Sequence, residues 1–217
     1  MNLTRLGHAC VRLDAHDSRL VIDPGVFSAP GAVDGADVVL VTHEHADHVV
    51  PADLREALRA APTLEVWAPA RVVAELVDGA PGLADRVHAA AAGLTFEAAG
   101  FTVEVLGELH AVVHPDVPRV ANVAYLLDGV VLHPGDSFTV PPRQVDVLLV
   151  PTSGPWLALR ECVDYVRAVA PRLAVPIHDA LYSPVGLGLV DRLLGPQGIG
   201  LGGAEYLRPA VGETIAI

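Results

Sequence analysis

Along the first half of the chain the apolar residues come in short runs, at 3–6, 9–13, 19–22 and 38–41, broken by Asp23-Pro24-Gly25 and by Pro30-Gly31. Runs of this length between Pro and Gly signals read as strands joined by turns. The pattern changes at Pro51. Pro at a first-turn position, with acids near the positive end of the dipole, predicts a helix over 51–58. A strand at 64–67 and a second helix, Ala70–Val77, follow, and further strands are expected at 95–97, Phe101–Leu106, 123–127, 130–133 and 145–150. In the last third, residues 157–169 place Leu159, Cys162, Val163, Val166 and Val169 on one face at helical spacing. A buried strand, Leu173–Ile177, a helix around 185–194 and a closing pair of strands at 205–207 and 214–217 complete the reading. No internal repeat of fixed period and no low-complexity tail interrupts it. A strand-rich first half and a strand-helix second half predict two sheets packed face to face with helices outside, a four-layer α/β arrangement. At 217 residues, one domain over 1–217 is expected.

Composition narrows the options. The chain is 52% hydrophobic but only 5% aromatic, so its interior is built from Ala, Val and Leu. No apolar run approaches the roughly 20 residues that span a bilayer, and the opening MNLTRLGHACVRLDAH lacks the form of a secretion signal. A cytoplasmic protein without membrane association is expected. The formal net charge of -12 opposes binding along nucleic acid. Cys10 and Cys162 follow no metal-binding spacing and read as reduced, packed thiols. All 14 basic residues are Arg, which excludes Schiff-base and lysine-nucleophile chemistry.

The stretch VTHEHADHVVP, from Val41 to Pro51, crowds three histidines and two carboxylates into six consecutive positions. In extended conformation His43 and His45 project from one side about 6.6 Å apart, so both reach one ion. Asp47 and His48 are neighbours and cannot face the same way in a strand, so a turn there offers a second ligand pair. A polar helix start with Asp47 as cap is the plainer explanation. A chance His-x-His-x-Asp-His has odds of roughly one in several hundred for this composition, which favours the metal. Glu44 and Ala46 should point away. Further donors lie where strand-like runs end: His110, Asp136 and His178. Donors at several strand ends converge along one sheet edge.

HEHADH, a later lone His, PGDS and PIHDA together resemble the metallo-β-lactamase superfamily of metal-dependent hydrolases, over nearly the whole chain. The opening LGHACVRL followed by RLVIDPG resembles its smaller, single-domain branch, which includes the ascorbate-phosphate lactonase-like proteins. The resemblance implies an αββα sandwich of two mixed β-sheets flanked by helices. It implies His43, His45 and His110 around one metal and Asp47, His48 and His178 around the other. Asp136 would bridge them, its two oxygens each free to take one ion, and Asp47 and Asp136 would be the carboxylates of the catalytic centre. Two Zn²⁺ are implied, and Fe and Mn suit the same donors. ELHAVVHPDVPRVANV departs from the branch's usual His-Ser-Ser, so His114 competes with His110, which is favoured because it follows the strand more directly.

The enzyme implied is a hydrolase of a small ester, lactone, amide or phosphoester. A metal-bridging hydroxide is its nucleophile, since paired metals bring the pKa of water towards about 7. No GxSxG elbow surrounds Ser137, Ser153 or Ser183. A metal-binding regulator or sensor without turnover, and a di-iron redox protein, are the alternatives. His8 is expected either to line the pocket or to be a satisfied structural histidine. Asp23 is read as orienting a ligand histidine, in preference to a simple Asx turn. His133 is expected to support a ligand from behind, His114 to support a ligand or face the substrate unless it is a loop histidine without a role, and His16 and His88 read as exposed. Trp156 and Tyr182 are candidate pocket walls, and Arg119 is a candidate anion contact.

Overall fold

In the computed structural model, which describes residues 1–217, the chain forms two seven-stranded sheets. The first half supplies β1 (Asn2–Gly7), β2 (Cys10–Ala15), β3 (Ser18–Ile22), β4 (Val38–Leu40), α1 (Pro51–Ala60), β5 (Glu65–Ala68), α2 (Ala70–Val77) and β6 (Val87–Ala89). The second supplies β7 (Thr95–Ala98), β8 (Phe101–Leu106), β9 (Ala124–Leu127), β10 (Val131–His133), β11 (Val147–Pro151), α3 (Leu159–Val169), β12 (Leu173–Ile177), α4 (Pro184–Leu194), β13 (Glu205–Tyr206) and β14 (Thr214–Ala216).

The strand orders are β14-β1-β2-β3-β4-β5-β6 and β13-β12-β11-β10-β9-β8-β7. In each sheet three antiparallel pairings give way to three parallel ones. Antiparallel neighbours need only tight turns, whereas parallel neighbours need crossovers. The helices make four of the six crossovers, α1 joining β4 to β5, α2 β5 to β6, α3 β11 to β12 and α4 β12 to β13, while loops join β3 to β4 and β10 to β11.

Alternation along the strands then sorts the apolar side chains into three layers. Leu3, Val11, Leu20 and Leu40 of one sheet meet Phe101, Val103, Tyr125 and Leu149 of the other in the central core. Val39, Val66, Leu54, Leu58, Val72 and Leu76 join the first sheet to α1 and α2. Leu126, Leu148, Cys162, Val166 and Val190 join the second sheet to α3 and α4. The four-layer sandwich of mixed sheets is therefore as expected.

Four details differ from the sequence reading. The strand expected at 38–41 stops at Leu40, so His43 and His45 sit on a loop and strand alternation does not bring them together. The expected closing pair is split between sheets, because β13 pairs with β12 and β14 with β1. The helix expected over 157–169 begins at Leu159. A 3-10 turn, Pro81–Arg86, and the short strand β6 carry too few apolar residues to have shown a period. No helix is long and apolar enough to cross a membrane.

Candidate metal centre

The C-terminal ends of parallel strands are where α/β sheets leave backbone and side chains unpartnered. Here β4 ends before Thr42 to His48, β11 before Thr152 to Trp156 and β12 before His178, while Asp136 follows β10. Two donor groups gather at this edge. Potential ligand atoms of His43, His45, His110 and Asp136 lie within 4.8 Å of one another, as do those of His8, Asp47, His48 and His178. Asp136 stands between the groups. Its Oδ1 is 3.1 Å from His48 Nε2, and its Oδ2 is 3.2 Å from His110 Nε2 and 3.1 Å from His178 Nε2.

Hydrogen bonds behind the rings decide which nitrogens face inward. His48 Nδ1 lies 2.7 Å from Asp23 Oδ2, and Asp23 also accepts from the Thr42 backbone N–H and hydroxyl, each at 2.7 Å. Because the Thr42 hydroxyl donates to Asp23, its lone pair is left for His43 Nδ1–H, 3.0 Å away. The one carboxylate of Asp23, fully buried, thus fixes the tautomers of both His43 and His48. His110 Nδ1–H donates to the Ala111 carbonyl at 2.6 Å and His178 Nδ1–H to that of Ser153 at 2.6 Å. All four rings therefore turn an Nε2 lone pair towards the centre. His45 presents Nδ1 instead, 3.0 Å from His43 Nε2.

His8 is close enough to be counted with the second group, but its bonding gives it another task. Its Nδ1 accepts the Ala180 N–H at 3.2 Å, so the neutral ring carries its proton on Nε2 and donates it to Asp47 Oδ2, 3.1 Å away. Such a ring holds Asp47 in place.

The residues fit a pair of cations. His48 Nε2, His178 Nε2 and Asp136 Oδ1 are buried without an aligned hydrogen-bond partner, although opposite groups approach to 3.1 Å. Buried acceptors that converge without a donor are costly unless a proton or a metal lies among them.

The electrostatics agree. Burial, reinforced by the His48 imidazole, pushes the pKa of His43 well below the ordinary range. Burial also disfavours charge on His48, yet Asp136 and Asp23 outweigh it and raise its pKa well above that range. At His178, Asp136 and Asp47 overcome burial and raise the pKa to about 9. Burial opposes ionisation of Asp136, but His48, His110 and His178 hold its pKa well below the usual carboxylate range.

Several close approaches shape this edge. A Cβ on Gly25 would lie 2.0 Å from the Asp47 carbonyl carbon and oxygen, so only glycine lets the Asp23-Pro24-Gly25 turn back the Asp47–His48 peptide. His8, Asp23 and His178 adopt left-handed backbone at φ 49°, 53° and 55°. Such conformations are costly for residues with a Cβ and tend to persist at functional sites.

The remaining sequence candidates fall into place around the centre. Asp47 caps no helix; the residue preceding α1 is Val50. Glu44 turns to Arg71, 3.6 Å away. His114 is exposed and its Nδ1 accepts from the Asp116 N–H, so His110 and not His114 joins the donor group. His133 is buried, donating to Ala9 O at 2.9 Å and accepting from the Gly135 N–H, which ties β10 to the β1–β2 turn. Tyr182 donates to Thr152 O at 2.9 Å. Arg119 donates to His110 O at 2.5 Å and so braces that loop. His16 is exposed beside Asp128, whereas His88, expected to be exposed, is half-buried against Trp67.

Three supports had no advance signal. Trp156, read only as a wall, donates its indole N–H to Asp136 Oδ2 at 3.0 Å. Asn122 accepts the Asp136 backbone N–H at 2.9 Å and donates to Pro134 O. Asp179, next to His178, is buried and receives Arg5 Nη2 at 2.6 and 2.7 Å together with Arg208. Thr42 stood directly before HEHADH, and its position at a strand end was the one available clue.

Comparison with known proteins follows the same outline. Residues 2–178 match the family model described as a β-lactamase superfamily domain. Protein Rv0786c of Mycobacterium tuberculosis is 40% identical over 195 residues, covering 87% of this chain and 89% of that protein. A UPF0173 metal-dependent hydrolase of Methanoregula boonei is 30% identical over 195 residues, covering 82% of each. Among solved structures, Igni18, described as a novel metallo hydrolase from the archaeon Ignicoccus hospitalis, superposes with a TM-score of 0.72 at 19% identity, covering 99% of this chain and 97% of its own.

Proposed function

The chain belongs to the β-lactamase superfamily, and from that membership we propose that it is a metal-dependent hydrolase whose centre takes two divalent cations, with zinc the first choice. His43, His45 and His110 would hold one, Asp47, His48 and His178 the other, and Asp136 would be shared. The observation that carries this reading is the set of four buried imidazoles, each tied off at Nδ1, whose Nε2 atoms converge around one carboxylate. When bound, such a pair supplies an acidified water and an electrophilic contact for the oxygen of a scissile carbonyl or phosphoryl group.

The chain's own residues have supporting tasks. Asp23 and Thr42 keep two rings in the ligating tautomer, His8 steadies Asp47, and Trp156 restrains the shared carboxylate. No side chain is placed as a rival nucleophile. Ser137 and Ser153 donate to the carbonyls of Pro134 and His178. Both thiols are buried, which pushes each pKa up to about 12.

The substrate class is a small ester, lactone, amide or phosphoester. The test is a panel of such compounds with Zn²⁺ or Mn²⁺ restored to the purified protein. Turnover that disappears on chelation and in His45→Ala supports the reading. A fully loaded protein that turns over none of them contradicts it and leaves a metal-binding role without catalysis.

A further inference from the structure

Large apolar side chains left in water are usually scattered, and a cluster beside a reactive centre marks a binding surface. Fourteen large hydrophobic side chains are exposed, and eight of them fall in three short segments, 26–27, 109–117 and 181–185. Each segment is fastened to the metal edge. Phe27, 46% exposed, sets its ring 5.2 Å from that of His8, and the backbone N–H of Val26 donates to Ala46 O, inside HEHADH. Val113 and Val117 line a small cavity together with His45 and His110. Leu181, 57% exposed, follows Ala180, whose N–H is held by His8.

Charge makes the rim selective. The loops at this edge, 24–34, 42–50, 107–122, 152–158 and 178–183, contain a single cationic side chain, Arg119, which is exposed, lines the same small cavity, and donates Nε to His110 O and Nη2 to Leu109 O. Nearby Arg71 faces Glu44, and Arg5 and Arg208 are committed to Asp179. The same loops carry Glu44, Glu108 and Asp116, on a chain of net charge -12. Away from Arg119 the rim therefore offers apolar surface and acidic side chains, which suits an apolar substituent over an anionic one.

We propose that the substrate bears an uncharged, apolar group beside its scissile bond, and that this group lies against the rim formed by Phe27, Val113, Val117 and Leu181. This rests on the hydrolytic reading above and adds to it the nature of the group next to the scissile bond. In an ester bearing such a group, water adds across the acyl bond, the acyl carbon gains its hydroxyl, and the leaving oxygen takes the remaining proton.

The test uses the metal-loaded protein and two homologous series. Specificity for 4-nitrophenyl esters from acetate to hexanoate should rise about threefold per added methylene, and the slope should flatten in Phe27→Ser and in the double variant Val113→Ser, Val117→Ser. Binding of straight-chain hydroxamic acids of the same lengths, measured by calorimetry, should climb in parallel without requiring turnover. Ester hydrolysis that is indifferent to chain length overturns the rim while leaving the hydrolase in place. If no ester is cleaved yet hydroxamate affinity still rises with length, the rim stands and the hydrolytic reading falls. Absent turnover together with affinity that does not change with length overturns the proposal itself.

Discussion

Replacing Asp23 by Asn keeps the shape of the side chain and changes only its hydrogen-bonding sense. The carboxylate accepts three hydrogen bonds, from the Thr42 N–H, the Thr42 hydroxyl and His48 Nδ1–H, all at 2.7 Å and fully buried. An amide has one oxygen. If that oxygen serves the Thr42 N–H, the NH₂ group faces Thr42 Oγ1 and His48 Nδ1, and the least costly answer is for the His48 proton to move to Nε2. That proton then occupies the lone pair aimed at the centre, and His43 loses its fixed tautomer through the same Thr42 hydroxyl. Partners that orient ligating histidines in this way are worth about 10- to 100-fold in metal affinity, or about 1.4 to 2.7 kcal/mol. Loss of charge-assisted bonds at a fully buried site should also cost the metal-free fold about 2 kcal/mol. Competition against a chelating indicator gives the affinity, urea unfolding gives the stability, and imidazole nitrogen shifts report the His48 tautomer. Affinity within about twofold of the parent in Asp23→Asn, with His48 still protonated at Nδ1, would refute the reasoning.

Other outcomes follow from the same geometry. His178, with its pKa raised to about 9, and His48, raised well above 6.5, hold protons at neutral pH in the metal-free protein. Each ion must displace them, so apparent affinity should rise between pH 6.5 and 9 by up to about tenfold per unit for each proton released, as isothermal titration in buffers of different ionisation enthalpy would show. For the metal-free fold the sign is reversed. Stability from the raised His178 is complete below its unfolded value of 6.5 and is lost as pH climbs through about 9, while that from the depressed Asp136 is present above 3.8 and lost in acid. His114→Ala should leave the bound metal unchanged while His110→Ala removes one ion, as measured by elemental analysis. Trp156→Phe removes the donor to Asp136 and should cost about 1 to 3 kcal/mol in urea unfolding. Asp179→Ala strands buried Arg5 and should cost about 3 to 5 kcal/mol, read the same way.

The layered fold was legible because its elements are periodic and few positions contradict them. The buried face of α3 repeats every three to four residues, and the four helices each fill one of the six crossovers between parallel strands. What escaped were features without a period: the turn at Pro81–Arg86 and the separation of β13 from β14, which depends on distant partners. At the centre, HEHADH supplies four of the candidate donors, His43, His45, Asp47 and His48. Strand alternation predicts their convergence for the wrong reason, because a loop held by Asp23 and Gly25 brings His43 and His45 together. The supports from Trp156, Asn122 and Asp179 lie 14 to 174 positions from their partners in sequence, and no local pattern encodes such contacts.

The central claim is that these donors form two adjoining cation sites sharing Asp136. Anomalous diffraction from crystals of zinc-loaded protein tests it most directly. Two peaks should appear, one among His43, His45 and His110 and one among Asp47, His48 and His178, with Asp136 touching both. A single peak, or none within reach of these residues in fully loaded protein, would contradict the account.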